Sequence, residues 1–133
     1  MKFQFLEHTA DIKFRAFGKD VNEKFTNSAL AVKETIVGDL QIKSNLKRKI
    51  RIRGEDMKSL LYGFLEEFLY LLDAEDFLLN EVETLVIDEK KFELEAFVSG
   101  DRASKYEFVN SVKAVTYNQM EITSEYVQVV LDV

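Results

Sequence analysis

The residues best suited to chemistry lie near the two ends of this 133-residue chain. His8 and Asp11 belong to the segment His-Thr-Ala-Asp, and Asp132 follows a run of strand-forming residues just before Val133. If both segments are strands of one sheet, Asp11, Asp132 and the terminal oxygens of Val133 could converge. Such oxygen ligands suit a hard cation such as Ca²⁺ or Mg²⁺. Two solvent-facing acids at strand ends are the alternative interpretation.

Two further side chains bear on this candidate cation site. His8 is the single histidine, and as a ligand it would favour Zn²⁺ or Mn²⁺, although a lone histidine beside a strand is usually structural. Lys113 lies among small and β-branched residues. A buried ammonium there would need an acidic or phosphate partner, whereas an exposed one would extend its stem along the surface. Both interpretations of Lys113 stay open at this stage.

The charge balance limits the possible partners. The formal net charge is −6, which argues against a protein whose main task is to grip nucleic acid. Basic residues nevertheless crowd the stretch 43–53. Such a stretch is usually a solvated strand face, with contact to a polyanion as the alternative. The absence of cysteine removes disulfides, thiolate metal sites and cysteine nucleophiles.

The length fits one domain, residues 1–133. No apolar run approaches the length of a membrane span, and the first residues lack the pattern of a secretory signal peptide. We therefore expect a cytoplasmic protein with no membrane partner.

Hydrophobic periodicity predicts both helices and strands. Asp20 and Asp56 each precede apolar residues at helical spacing and are expected to cap a helix. Alternating apolar residues predict strands at 3–5, 12–16, 46–53, 82–86, 92–98, 120–122 and 126–130. Gly100 is expected to turn the chain, and 111–117 fits either a short helix or a strand. The expected fold class is α+β, a two-layer sandwich of two helices on a mainly antiparallel or mixed sheet.

Four segments together resemble the archease family over the whole chain. They are His8–Ile12, Leu60–Leu69 in the second predicted helix, Lys113–Tyr117 and Val130–Val133. Family members often carry histidine after the Thr-Tyr pair, where this chain has Asn118. Because asparagine cannot titrate, any role of that histidine in a metal or phosphate contact is in doubt here.

The resemblance implies an archease-like fold and a function. Archeases are non-catalytic activators of the GTP-dependent RNA ligase that joins tRNA halves during tRNA splicing, and they promote ligase guanylylation and multiple turnover. By similarity, Asp11, Asp132 and Val133 would bind a divalent cation. Calcium is the expected ion, with magnesium or manganese as alternatives. His8, Lys113 and Thr116 would be neighbours that position the site or contact the ligase, its RNA or its GTP.

Two other classes of function compete with this one. A chaperone-like modulator of an RNA-modifying enzyme, such as a tRNA methyltransferase, is compatible with the acidic surface and the apolar second helix. An independent hydrolase using His8 and Asp11 is disfavoured, because the chain offers no second base, nucleophile or nucleotide cradle.

Overall fold

The computed structural model describes all of residues 1–133, which form two long helices and seven strands. The elements in chain order are β1 (Phe3–Leu6), β2 (Ile12–Phe17), α1 (Val21–Val37), β3 (Leu46–Arg53), α2 (Met57–Glu75), β4 (Phe77–Asp88), β5 (Glu93–Arg102), a short 3₁₀ helix (Ala103–Lys105), β6 (Ala114–Ile122) and β7 (Tyr126–Asp132). Neither long helix is long and apolar enough to cross a membrane.

The seven strands form two sheets in which every pairing is antiparallel. The four-stranded sheet has the order β1-β2-β7-β6, and the three-stranded sheet has the order β3-β5-β4. Both helices contact both sheets, so the helices and the inner sheet faces enclose a single core. The predicted α+β class with antiparallel pairing is confirmed, and the strands are divided between two sheets.

Both helices begin at the predicted caps. The Asp20 carboxylate accepts a hydrogen bond from the backbone N–H of Glu23 at 2.8 Å, and the Asp56 carboxylate accepts one from Ser59 at 2.8 Å. These bonds satisfy amides that have no partner inside the helix. The apolar face of each helix then packs into the core. Phe25 of α1 and Phe64 of α2 are fully buried, and their ring centroids lie 6.2 Å apart in a stacked arrangement.

The prediction of a turn at Gly100 is wrong, because β5 continues to Arg102. Gly100 instead lies where the backbone of Leu78 and the ring of Phe77 approach its Cα so closely that a Cβ would clash with both. The glycine is therefore needed for close packing of β4 on β5.

The ambiguous stretch 111–117 becomes a strand from Ala114 onward. Its partner β7 contains five consecutive buried residues, 127–131. Such a run is typical of a central strand that is covered on both faces. The pairing between β6 and β7 is interrupted between Thr116 and Glu121, where β6 bulges outward.

Candidate metal centre

The strand register brings the two predicted acidic segments together. Ile12 of β2 pairs with Leu131 of β7, so Asp11 and Asp132 flank the same pair at one end of neighbouring strands. Opposed residues of an antiparallel pair lie on the same sheet face. The two carboxylates therefore belong to the same corner of the four-stranded sheet, with Asp132 exposed and Asp11 partly buried.

The third strand of this corner is β6. Ala114 pairs with Asp132, and the backbone N–H of Lys113 donates to the Asp132 carbonyl at 2.7 Å. The Lys113 side chain is exposed, which decides between the two interpretations of this residue. Its ammonium therefore needs no buried partner and can reach a ligand or another protein.

His8 lies beside Asp11 in the segment that enters β2. Its Nδ1 is 3.9 Å from Oδ2 of Asp11, beyond hydrogen-bond range. This nitrogen is inaccessible to solvent and has no hydrogen-bond partner. An unsatisfied buried polar atom costs free energy. A small movement of the His8 ring toward Asp11 would let Nδ1 form a hydrogen bond with the carboxylate.

The backbone of this segment is strained at Ala10, whose φ is 66°. A residue with a Cβ rarely adopts this left-handed conformation, which costs on the order of 1–2 kcal/mol. Such strain is common where the chain must hold functional groups in a set orientation. Here it bends the backbone between His8 and Asp11.

Two neighbouring residues fix the edge strand β6. The Thr116 hydroxyl donates to the Val130 carbonyl at 2.9 Å, so this predicted neighbour acts on the strand pair. The Glu66 carboxylate of α2 accepts the backbone N–H of Val115 at 2.7 Å. Sequence reasoning missed Glu66, since a glutamate on a helix gives no sign that it will satisfy a distant strand.

The candidate ligands at this corner are oxygen atoms, which are the ligands that a hard cation prefers. Asp11 and Asp132 supply carboxylate oxygens, and Val133 continues the backbone at the same corner. No three or more His, Asp and Glu side chains lie close enough together to hold a metal ion by themselves. Any ion bound here would therefore also need backbone oxygens, which Ca²⁺ accepts readily because it takes six to eight oxygen ligands.

The fold and this corner together define a class of small α+β proteins in which the two ends of the chain meet in one antiparallel sheet. The family model described as "Archease protein family (MTH1598/TM1083)" matches residues 3–133. This chain therefore belongs to the archease family, as its sequence motifs predicted.

Individual relatives agree with the family match. The archease of Methanosarcina mazei is 37% identical over 125 residues, covering 91% of this chain and 86% of the relative. That of Sulfurisphaera tokodaii is 38% identical over 126 residues, covering 93% and 90%. The solution structure of Methanobacterium thermoautotrophicum protein 1598 matches with a TM-score of 0.80 at 31% identity, covering 99% of each chain.

Proposed function

We propose that this chain is a non-catalytic activator of the GTP-dependent RNA ligase of tRNA splicing, and that it promotes ligase guanylylation and multiple turnover. The observation that carries the proposal is the β2–β7 register, which brings Asp11 and Asp132 to one corner. Membership of the archease family supports it. The cytoplasm is the corresponding location.

In this proposal the corner assists another protein by holding a divalent cation and contacting the partner. Asp11, Asp132 and backbone oxygens of Val133 would hold a divalent cation, expected to be calcium, with magnesium or manganese as alternatives. When bound, the cation would supply positive charge for phosphate oxygens. His8 would orient Asp11, and Lys113, being exposed, would contact the nucleotide or the ligase.

The same corner gives little support for independent catalysis. The chain has one histidine and no cysteine, and Lys113 and Asp132 are both open to solvent. A catalytic site usually holds its nucleophile and base in a pocket, together with a group that orients the base. We therefore assign the bond-making steps to the ligase.

The decisive experiment is multiple-turnover RNA ligation by the purified ligase with and without this protein. Asp11→Asn and Asp132→Asn keep the shape of each side chain and remove its charge. We expect each variant to lose most of the stimulation while its melting temperature stays near that of the wild type. Asp73→Asn, which changes an exposed acid on α2 away from this corner, is the matched control.

The proposal would be overturned by full stimulation from a well-folded Asp11→Asn/Asp132→Asn double variant. Suppression of aggregation of an RNA-modifying enzyme, equally strong in wild type and double variant, would favour the chaperone-like alternative. Calorimetric titration with CaCl₂ tests cation binding separately. The wild type should bind the ion, and the double variant, which lacks both carboxylate charges, should not.

A further inference from the structure

A pair of tyrosines forms an exposed aromatic surface next to the acidic corner. The rings of Tyr62 on α2 and Tyr117 on β6 stack with centroids 4.4 Å apart and planes 8° apart. Tyr117 remains 53% exposed. Since one face of its ring lies on Tyr62, the exposed area falls on the opposite face and the edge.

The irregular part of β6 presents this ring. Tyr117 lies inside the interruption of the β6–β7 pairing, two residues before Gln119, whose φ is 54°. The carbonyl of Gln119 accepts a hydrogen bond from the Gln128 side chain at 2.8 Å, and its own side chain accepts one from Lys13 at 2.8 Å. These contacts hold the bulge against the sheet. A bulge held in this way re-aims a side chain that a regular strand would direct elsewhere.

Acidic side chains flank the tyrosine pair at the start of α2. Glu55 and Asp56 are exposed, and neither forms an ion pair with a basic side chain. Burial is the main cause that raises the pKa of Tyr117, and Tyr62, Asp56 and Glu55 add to it. Lys58 is the basic neighbour of Asp56. The surface therefore combines an open π face with unpaired negative charge.

We infer that the surface formed by Tyr62, Tyr117, Glu55 and Asp56 docks an arginine-bearing segment of the partner protein. This inference rests on the proposed function, because the ligase is the partner in question. A guanidinium can stack on the open face of Tyr117 while its N–H groups reach carboxylates at the edge.

Charge decides between possible occupants of this surface. A nucleobase would also stack on an aromatic ring, but its phosphates would approach Glu55 and Asp56 and be repelled. A basic peptide gains from both features. A cation–π contact contributes about 0.5–2 kcal/mol according to how far it is desolvated, which corresponds to roughly a twofold to thirtyfold change in affinity.

The surface is continuous with the candidate metal centre along α2 and β6. Glu66 holds the N–H of Val115 at 2.7 Å, one helical turn from Tyr62, and Ala114 pairs with Asp132. A partner that reaches the acidic corner with its active site would thus pass the tyrosine pair. Docking at the tyrosines would then orient the corner toward the ligase.

The test compares variants of the full chain for affinity to the purified ligase by calorimetry. Tyr117→Leu keeps an apolar side chain and removes the π face. Asp56→Asn removes charge while keeping a good helix cap. We expect Tyr117→Leu to weaken binding roughly twofold to thirtyfold and Glu55→Gln/Asp56→Asn to weaken it in low salt. Tyr70→Leu is the matched control, since Tyr70 is 57% exposed on the same helix.

A second probe separates the docking surface from the proposed function. A short peptide alternating arginine with glycine should shift the ring NMR signals of Tyr117 more than its lysine counterpart does. If the wild type binds and stimulates the ligase but Tyr117→Leu binds equally well, the docking inference is wrong and the proposed function stands. If the ligase does not bind at all, the proposed function fails. In that case the docking inference is also wrong if the arginine peptide leaves the ring NMR signals of Tyr117 unchanged.

Discussion

At the scale of single residues, the candidate metal centre contains two groups held at a cost. The buried Nδ1 of His8 has no hydrogen-bond partner, and Ala10 adopts a left-handed φ of 66°. Both lie in the connection that leads from β1 into β2, and neither residue belongs to the hydrophobic core. Relief of either strain should therefore change local energetics while leaving the fold in place.

Ala10→Gly should stabilise the protein. Glycine adopts positive φ without steric cost, which recovers about 1–2 kcal/mol, and it loses about 0.5–1 kcal/mol through greater freedom of the unfolded chain. The expected net gain in the free energy of unfolding is about 0.5–1 kcal/mol, measured by urea denaturation. Ala74→Gly, the same change in the exposed last turn of α2, should destabilise by up to about 1 kcal/mol. Equal effects of the two substitutions would show that Ala10 is not strained.

Asp101 is a buried residue near the end of β5, and its carboxylate accepts hydrogen bonds from Tyr106 and from the backbone of Arg102. The hydroxyl of Tyr106 donates to it at 2.7 Å and is the main cause that lowers its pKa from 3.8 to about 2. A lowered folded-state pKa contributes stability that is fully present above pH 3.8 and is lost as the pH falls toward 2. Asp101 thus adds to acid sensitivity in that window.

Tyr106→Phe should reduce this acid sensitivity. Without the hydroxyl, the pKa of Asp101 moves back toward its ordinary value, so the free energy of unfolding should fall less steeply between pH 4 and pH 2 than in the wild type. Urea denaturation at several pH values measures the slope, and carboxyl NMR follows Asp101 directly. Tyr126→Phe, which removes a hydroxyl that donates to exposed Glu121 at 2.9 Å, should leave the slope unchanged. A Tyr106→Phe slope as steep as that of the wild type would refute the assignment.

At the scale of elements, β3 is the clearest case of charge organised by strand alternation. Its outward side chains pair with glutamates on β4 and β5, as Lys47 does with Glu83 at 2.6 Å and Arg53 with Glu93 at 3.0 Å. The basic stretch is thus largely neutralised by its own sheet. This favours the solvated-face interpretation over a polyanion site.

An Arg51→Gln/Arg53→Gln variant should therefore differ little from the wild type. These side chains are about three-quarters exposed, and exposed ion pairs contribute roughly 0–1 kcal/mol each. Urea denaturation should show a loss of no more than about 2 kcal/mol, and retention of tRNA on a filter should not change. A large fall in tRNA retention would identify β3 as a nucleic-acid surface.

Sequence patterns predicted some elements better than others for a physical reason. Helix caps are local, so Asp20 and Asp56 could be read from a few neighbouring residues. Strand alternation is also local, so the strand at 46–53 could be predicted, and β3 spans these residues. The choice of strand partners depends on which faces are buried together, so the split into two sheets and the bulge of β6 had no local signal. Gly100 was misinterpreted because its close neighbour, Leu78, lies far away in sequence.

The candidate site was predictable in part for the same reason. The types and positions of Asp11 and Asp132 suggested convergence, and the pairing of Ile12 with Leu131 makes them neighbours. The roles of Glu66 and of the Tyr62–Tyr117 stack were not predictable. Both arise where α2 packs against β6, the edge strand of the four-stranded sheet. Only the three-dimensional packing determines this contact.

At the scale of the whole molecule, the start of β2 and the end of β7 meet at one corner, and an acidic, aromatic surface leads to it. The formal net charge of −6 acts over longer distances than any of these contacts. A long-range field accelerates the encounter with a partner of opposite charge, whereas contacts made after docking set the lifetime of the complex. The two contributions can therefore be separated by kinetics.

If the ligase is the partner, as proposed above, its association rate with this acidic chain should fall as salt is added. Between ionic strengths of about 0.01 M and 0.15 M the Debye length shrinks from about 30 Å to about 8 Å, and we expect the association rate constant to drop roughly tenfold. Stopped-flow mixing over this range measures it. Tyr117→Leu leaves the net charge unchanged, so it should show the same salt dependence of association and a faster dissociation. Association that is insensitive to salt would mean that the acidic balance of this chain does not steer it to its partner.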